Sequence, residues 1–126
     1  MTQEHVDQIV KAIFGFAEAT TLGTLPIRNE GSLLRQQYTC ELNGKEFWIE
    51  LRPNDDAGFC TFAMSHDKTD LVRERKIVYA TDLLRGVSHP SVSGLHIIPI
   101  DPSRGTEEVT PENLGRAVQL TVFSES

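Results

Sequence analysis

Residues 34–66 read LRQQYTCELNGKEFWIELRPNDDAGFCTFAMSH, and the fold turns on the Asn43-Gly44 dipeptide near their middle. Both residues tolerate the positive φ of a type I′ turn, so the flanking arms are expected to form a two-residue hairpin. That turn sets the register: Leu42 faces Lys45, Cys40 faces Phe47, Tyr38 faces Ile49 and Gln36 faces Leu51. Asn54 to Gly58 carries Asn, two Asp and Gly and reads as a second turn, with Arg52 opposite Phe59. Cys60, Phe62 and Met64 then join Phe47, Ile49 and Leu51 on one apolar face.

The other face reads in rows as Arg35/Arg52/Phe59, Gln37/Glu50/Thr61, Thr39/Trp48/Ala63 and Glu41/Glu46/Ser65. Its single tryptophan stands among small neighbours and near three carboxylates. Trp48 is expected either under a second layer or exposed as a binding anchor. In the exposed case Glu41, Glu46, Glu50 and nearby Phe59 complete a surface suited to a basic or amphipathic protein segment.

Upstream, Val6, Ile9, Val10, Ile13, Phe16 and Ala17 recur at helical spacing, which predicts an amphipathic helix over Thr2 to Ala19 with Thr2 as N-cap. The apolar face of the sheet is its natural cover. Thr20 to Gly31 reads as a connection with a short extended piece at Leu25 to Ile27. Downstream, Asp67 to Arg75 suggests a helical turn and Lys76 to Thr81 a fourth strand, with one helix through Asp67 to Leu84 as the rival. Leu95 to Ile100 reads as a fifth strand, at an edge or near its end because Pro99 has no N–H for the ladder. Thr110-Pro111-Glu112-Asn113 is a helix start, with Leu114, Ala117, Val118 and Thr121 as a partial stripe; Gly115 and the period-two run Val118, Leu120, Val122 leave a turn followed by a strand as the rival. The expected class is α+β: an N-terminal helix on a curved antiparallel sheet of about five strands, with a C-terminal helix, all in one domain over residues 1–126.

The chain has 126 residues, 39% hydrophobic and 24% charged, and carries a net charge of −6. Those values suit a folded chain and do not favour phosphate backbones or anionic membranes, so neither nucleic acid nor membrane is an expected partner. The start, Met-Thr-Gln-Glu-His, lacks the basic and apolar regions of a secretory signal, and the expected location is the cytoplasm. Cys40 and Cys60 lie two strands apart in this register and are expected as free, buried thiols.

His5, His66, His89 and His96 show no metal-ligand spacing, and no phosphate loop or nucleophile elbow is present. No cofactor and no catalytic residue is expected. Asp55-Asp56 reads as a turn. Lys68, Arg73, Arg75 and Lys76 are diluted by Asp67, Asp70 and Glu74 and read as a solvated segment.

In element order, size and acidity the chain resembles the chaperones of bacterial type III secretion, a resemblance of pattern with no shared motif. It implies a homodimer that binds unfolded segments of other proteins. The expected function is a noncatalytic protein-binding module, of the secretion-chaperone, immunity or inhibitor kind, that uses the Trp48 face. The alternative is a small enzyme or ligand-binding domain whose concave polar pocket contains His66, His89 or His96.

Overall fold

The computed structural model describes residues 19–125. Among these the chain forms strands β1 (Ala19–Thr24), β2 (Gln36–Leu42), β3 (Lys45–Asn54), β4 (Phe59–His66), β5 (Thr69–Lys76), β6 (Leu95–Ile100) and β7 (Gln119–Glu125), with a 3-10 turn at Pro90–Val92. They make two antiparallel sheets, one of four strands in the order β2-β3-β4-β5 and one of three in the order β1-β7-β6.

The first hairpin has the register that its turn dictates, from Leu42 opposite Lys45 to Gln36 opposite Leu51. Asn43 and Gly44 take φ of 54° and 82°, the left-handed pair that a type I′ turn requires. The second turn is shorter than expected. Asn54, not Arg52, faces Phe59, because Asn54 O accepts the Gly58 N–H at 2.8 Å and Asn54 Oδ1 accepts the Ala57 N–H at 3.1 Å. The slip is two residues, so every side chain keeps its face.

The segment after His66 departs from expectation. Asp67 and Lys68, at φ of 48° and 67°, make a third tight turn in place of a helical one, and His66 faces Thr69 across it. The fourth strand of this sheet is therefore Thr69–Lys76, and residues 77–81 lie beyond it. A bulge interrupts the pairing between Met64/Val72 and Phe62/Arg75, with Glu74 at φ 33°. It turns Arg75 toward the carbonyls of Leu83 and Arg85, at 2.9 and 2.8 Å.

The expected α+β class is corrected to two antiparallel β-sheets, with no α-helix among the described residues. The helix expected over Thr2 to Ala19 lies outside them except for Ala19, which begins β1. The second sheet is the element that meets the apolar face: Phe47, Ile49, Leu51, Phe62 and Met64 share one buried cluster with Leu95, Ile97, Leu120 and Val122. The expected C-terminal helix is β7, and the alternation from Val118 prevails. Thr110 and Asn113 do exchange capping bonds, Asn113 N–H to Thr110 Oγ1 at 3.2 Å and Thr110 N–H to Asn113 Oδ1 at 2.9 Å. Gly115 then stops the turn at φ 90°, where a Cβ would stand 2.6 Å from Ile27 Cγ2.

Two side chains tie the connections down. Asn29 Nδ2 donates to the carbonyls of Pro111 and Leu114 at 3.0 and 2.8 Å, which fastens the connection after β1 to the one before β7. Asp101 is buried at the end of β6, where Oδ1 accepts from Ser103 N–H and Oγ–H and Oδ2 from Thr106 N–H. Burial pushes the Asp101 carboxyl up, but these donors outweigh it and hold the group below the usual carboxylate range. β6 has the bounds its sequence predicts and is an edge strand. Its open side is covered by Ala80 N–H to Pro99 O and Leu83 N–H to Ile97 O, both 2.8 Å.

Candidate binding surfaces

The face of the four-stranded sheet that carries Trp48 is crossed by a row of charges. Arg35, just before β2, donates through Nε to Glu50 Oε2 at 2.7 Å. Arg52 Nε donates to the same oxygen at 2.7 Å, and Gln37 Nε2 adds a bond of 3.2 Å. Arg52 Nη1 reaches on to Glu74 Oε1 on β5 at 2.6 Å. It must cross β4 to do so, and β4 presents Thr61 opposite Arg52 and Ala63 opposite Glu50. Those small side chains leave the path open.

Glu50 is thereby 5% exposed on a face that a strand pattern leaves to solvent. The hydrogen bond from Arg52 is the strongest influence on it and, with those from Gln37 and Arg35, overcomes the cost of burial to hold its carboxyl down at about 2. Of the three carboxylates expected beside Trp48, this one is neutralised and enclosed. Glu41 and Glu46 face one another next to the turn and are exposed. Trp48 is half-buried and lines a shallow groove with Ala63, Val72 and Arg73. Phe59 shares the face but not the neighbourhood. It pairs with Asn54 while Trp48 pairs with Ser65, a separation of roughly 20 Å along β4 at the usual rise per residue. The Phe59 ring instead carries the Lys76 ammonium 4.9 Å from its centre.

A second surface is a groove of about 680 Å³ whose lining includes Asp82, Arg85, His89, His96 and Glu125. Two of the three histidines named for the alternative pocket, His89 and His96, line it. Asp82 is the pivot. Its Oδ1 accepts from Leu84 N–H at 2.9 Å and Ile97 N–H at 3.1 Å, and its Oδ2 meets His96 Nδ1 at 2.5 Å. His96 Nε2 lies 3.1 Å from Glu125 Oε1. His89 Nδ1 accepts from Ser91 N–H at 3.1 Å and meets Ser91 Oγ at 2.7 Å. His66 stands apart with Nδ1 2.9 Å from Glu46 O, its ring 6.3 Å from that of His89. Each of these contacts fastens a turn or a strand end.

The remaining expected groups are dispersed. Arg73 pairs with Asp70, Arg75 holds backbone carbonyls and Lys76 covers Phe59, so the basic run forms no continuous patch. No group of three or more His, Cys, Asp or Glu able to hold a metal occurs among the described residues. Cys40 and Cys60 are free, Cys60 buried and Cys40 half-buried. Burial pushes the Cys60 thiol up to about 12, which leaves it a packing group and not a nucleophile. The sequence reading missed Asp82 and missed that Arg35 and Arg52 belong to Glu50. Both arginines stand in its rows one step from Glu50, and that adjacency was the available signal.

Residues 24–125 match the family model described as the cyanophage baseplate Pam3 plug gp18. The match runs from the last residue of β1 to the last of β7 and includes both surfaces. No curated protein matches the chain.

Proposed function

Because the chain belongs to the family of the cyanophage Pam3 baseplate plug gp18, we propose that it is a noncatalytic structural component of a phage baseplate, held in place by contacts with other virion proteins. The family match over nearly the whole described fold carries this reading. The polar groups that a small enzyme would use support it: Glu50, Asp82 and Asp101 are each committed to several bonds within the chain. Nothing in the family favours a secretion chaperone or an immunity protein, and on this reading the protein is a part of the virion. The ligand-binding alternative rests on the groove beside His96, whose imidazoles already serve the fold.

For the contact surface we propose the Trp48 face, with the indole as anchor and exposed Glu41 and Glu46 at its rim; Glu50 acts as a positioning group through Arg35 and Arg52. Phe59 would meet a separate part of the same partner. The test is mass spectrometry of gradient-purified particles produced by cells that carry the gene, in wild-type form or with Trp48→Ala. The protein is expected in stoichiometric amount in wild-type particles. Trp48→Ala is expected to lower its incorporation by about ten-fold while its melting temperature stays within a few degrees. Particles free of the protein but fully infectious would sink the baseplate reading. Normal incorporation of a stable Trp48→Ala protein would remove the anchor.

A further inference from the structure

The sheet edges of this protein are not equally guarded. β5 is bulged and carries Asp70, Arg73, Glu74 and Lys76, β1 has a register shift between Thr21 and Gly23, and the open side of β6 is covered by residues 80–83. Among the described residues β2 is the least protected: its pairing is unbroken from Gln36 to Leu42, it contains no proline and no lysine, and Glu41 is its one charged residue. A two-residue turn closes on a hydrogen-bonded pair, here Leu42 with Lys45, and bonded and non-bonded pairs alternate along an antiparallel ladder. Gln37, Thr39 and Glu41 therefore point their backbone N–H and C=O away from β3, and all three residues are exposed.

We infer that this edge pairs with the β2 edge of a second copy of the chain, antiparallel about a two-fold axis through Tyr38. The register follows from charge. With Tyr38 opposite itself, Gln37 lies opposite Thr39 and Arg35 opposite Glu41 of the second copy, so the seam gains two reciprocal ion pairs. A shift of two residues in either direction sets Glu41 against Gln37 or Arg35 against Thr39 and loses both. The Arg35 side chain is 59% exposed and uses Nε for Glu50, which leaves its two Nη groups for the partner. The same register brings Leu34, 74% exposed and the most exposed large apolar residue described, opposite Leu42 of the second copy, which is only 8% exposed, so this pair adds little to the ion pairs. The interface is isologous and the strand is short, so the dimer is weak, with a Kd on the order of tens of micromolar.

The inference does not rest on the baseplate reading, and sedimentation of the purified full-length protein tests it without a virion. A reversible monomer–dimer equilibrium is expected. Thr39→Pro puts a ring where an N–H faces solvent in the monomer, so its fold survives while the seam loses a bond and meets a clash; the Kd is expected to rise at least about ten-fold. Glu41→Arg, at an exposed position, gives the same loss by facing Arg35. In a Cys40→Ser background, Gln37→Cys protein mixed with Thr39→Cys protein is expected to form a disulfide-linked pair that neither forms alone. A monomer at every concentration, or a dimer indifferent to both Thr39→Pro and Glu41→Arg, overturns the inference. So does a monomer whose β2 edge takes up a strand from another virion protein, with uptake lost in Thr39→Pro.

Discussion

Glu50 gives up water on an open sheet face because three side-chain donors converge on one of its oxygens. Its folded pKa of about 2, against a usual 4.5, fixes the sign of its pH dependence. A lowered pKa means that its contribution is complete above about pH 5.5, fades as pH falls from 4.5 toward 2, and is absent below. The shift corresponds to roughly 3 kcal/mol at 1.36 kcal/mol per unit, and exposure of both guanidiniums lowers the expectation to about 2 kcal/mol. Urea titrations of wild type and Glu50→Gln should differ by that amount at pH 7 and converge near pH 2. A constant difference across the range would show that the ion pairs contribute nothing. At this scale the sequence was half legible. The rows of the hairpin put Arg35, Glu50 and Arg52 on one face, but the enclosure of one acid by two bases depends on rotamers that no residue pattern records. Glu74 lies 22 residues from Arg52 and was not visible from the sequence at all.

The elements differ in how plainly their turns are written. Asn43-Gly44 announces its own geometry, since both residues accept positive φ, and the hairpin was legible to the residue. Asp67-Lys68 adopts the same left-handed pair with an aspartate that tolerates it and a lysine that carries no such signature, and the segment read as a helical turn. If that turn is held by its context, better turn chemistry should stabilise it. Asp67→Asn with Lys68→Gly is expected to raise stability by about 1 kcal/mol, read as a shift in the urea midpoint at constant slope. No change would mean that the strands already meet the whole cost of the turn. The C-terminal strand shows the opposite conflict. Thr110 and Pro111 are real start signals and the capping bonds form, yet the alternation of Val118, Leu120 and Val122 makes the next element a strand. Burial on two sheet faces outweighs a local cap.

Across the whole molecule, the apolar face of the hairpin had to be covered, and that much was legible. The identity of the cover was not, because β6 and β7 lie more than thirty residues beyond β3, across long connections that Asn29 and Asp101 tie down. Both sheets feed one buried cluster, so the described fold is expected to unfold as a unit. Tryptophan fluorescence, which reports Trp48 on one sheet, and far-ultraviolet dichroism, which reports both, should give coincident urea transitions. Two separated transitions would mean that the three-stranded sheet stands or falls by itself. The proposed contact surface left little trace in the sequence because an anchor of that kind needs no special chemistry, only position.

The reach of Arg52 across β4 also makes a claim about evolution. A guanidinium passes there only while position 63 stays no larger than alanine, and the crossing is of use only while position 74 stays acidic. Among members of the family, bulk at 63 and charge at 74 should therefore change together, and a lineage that gains a branched side chain at the first should be free to lose the carboxylate at the second.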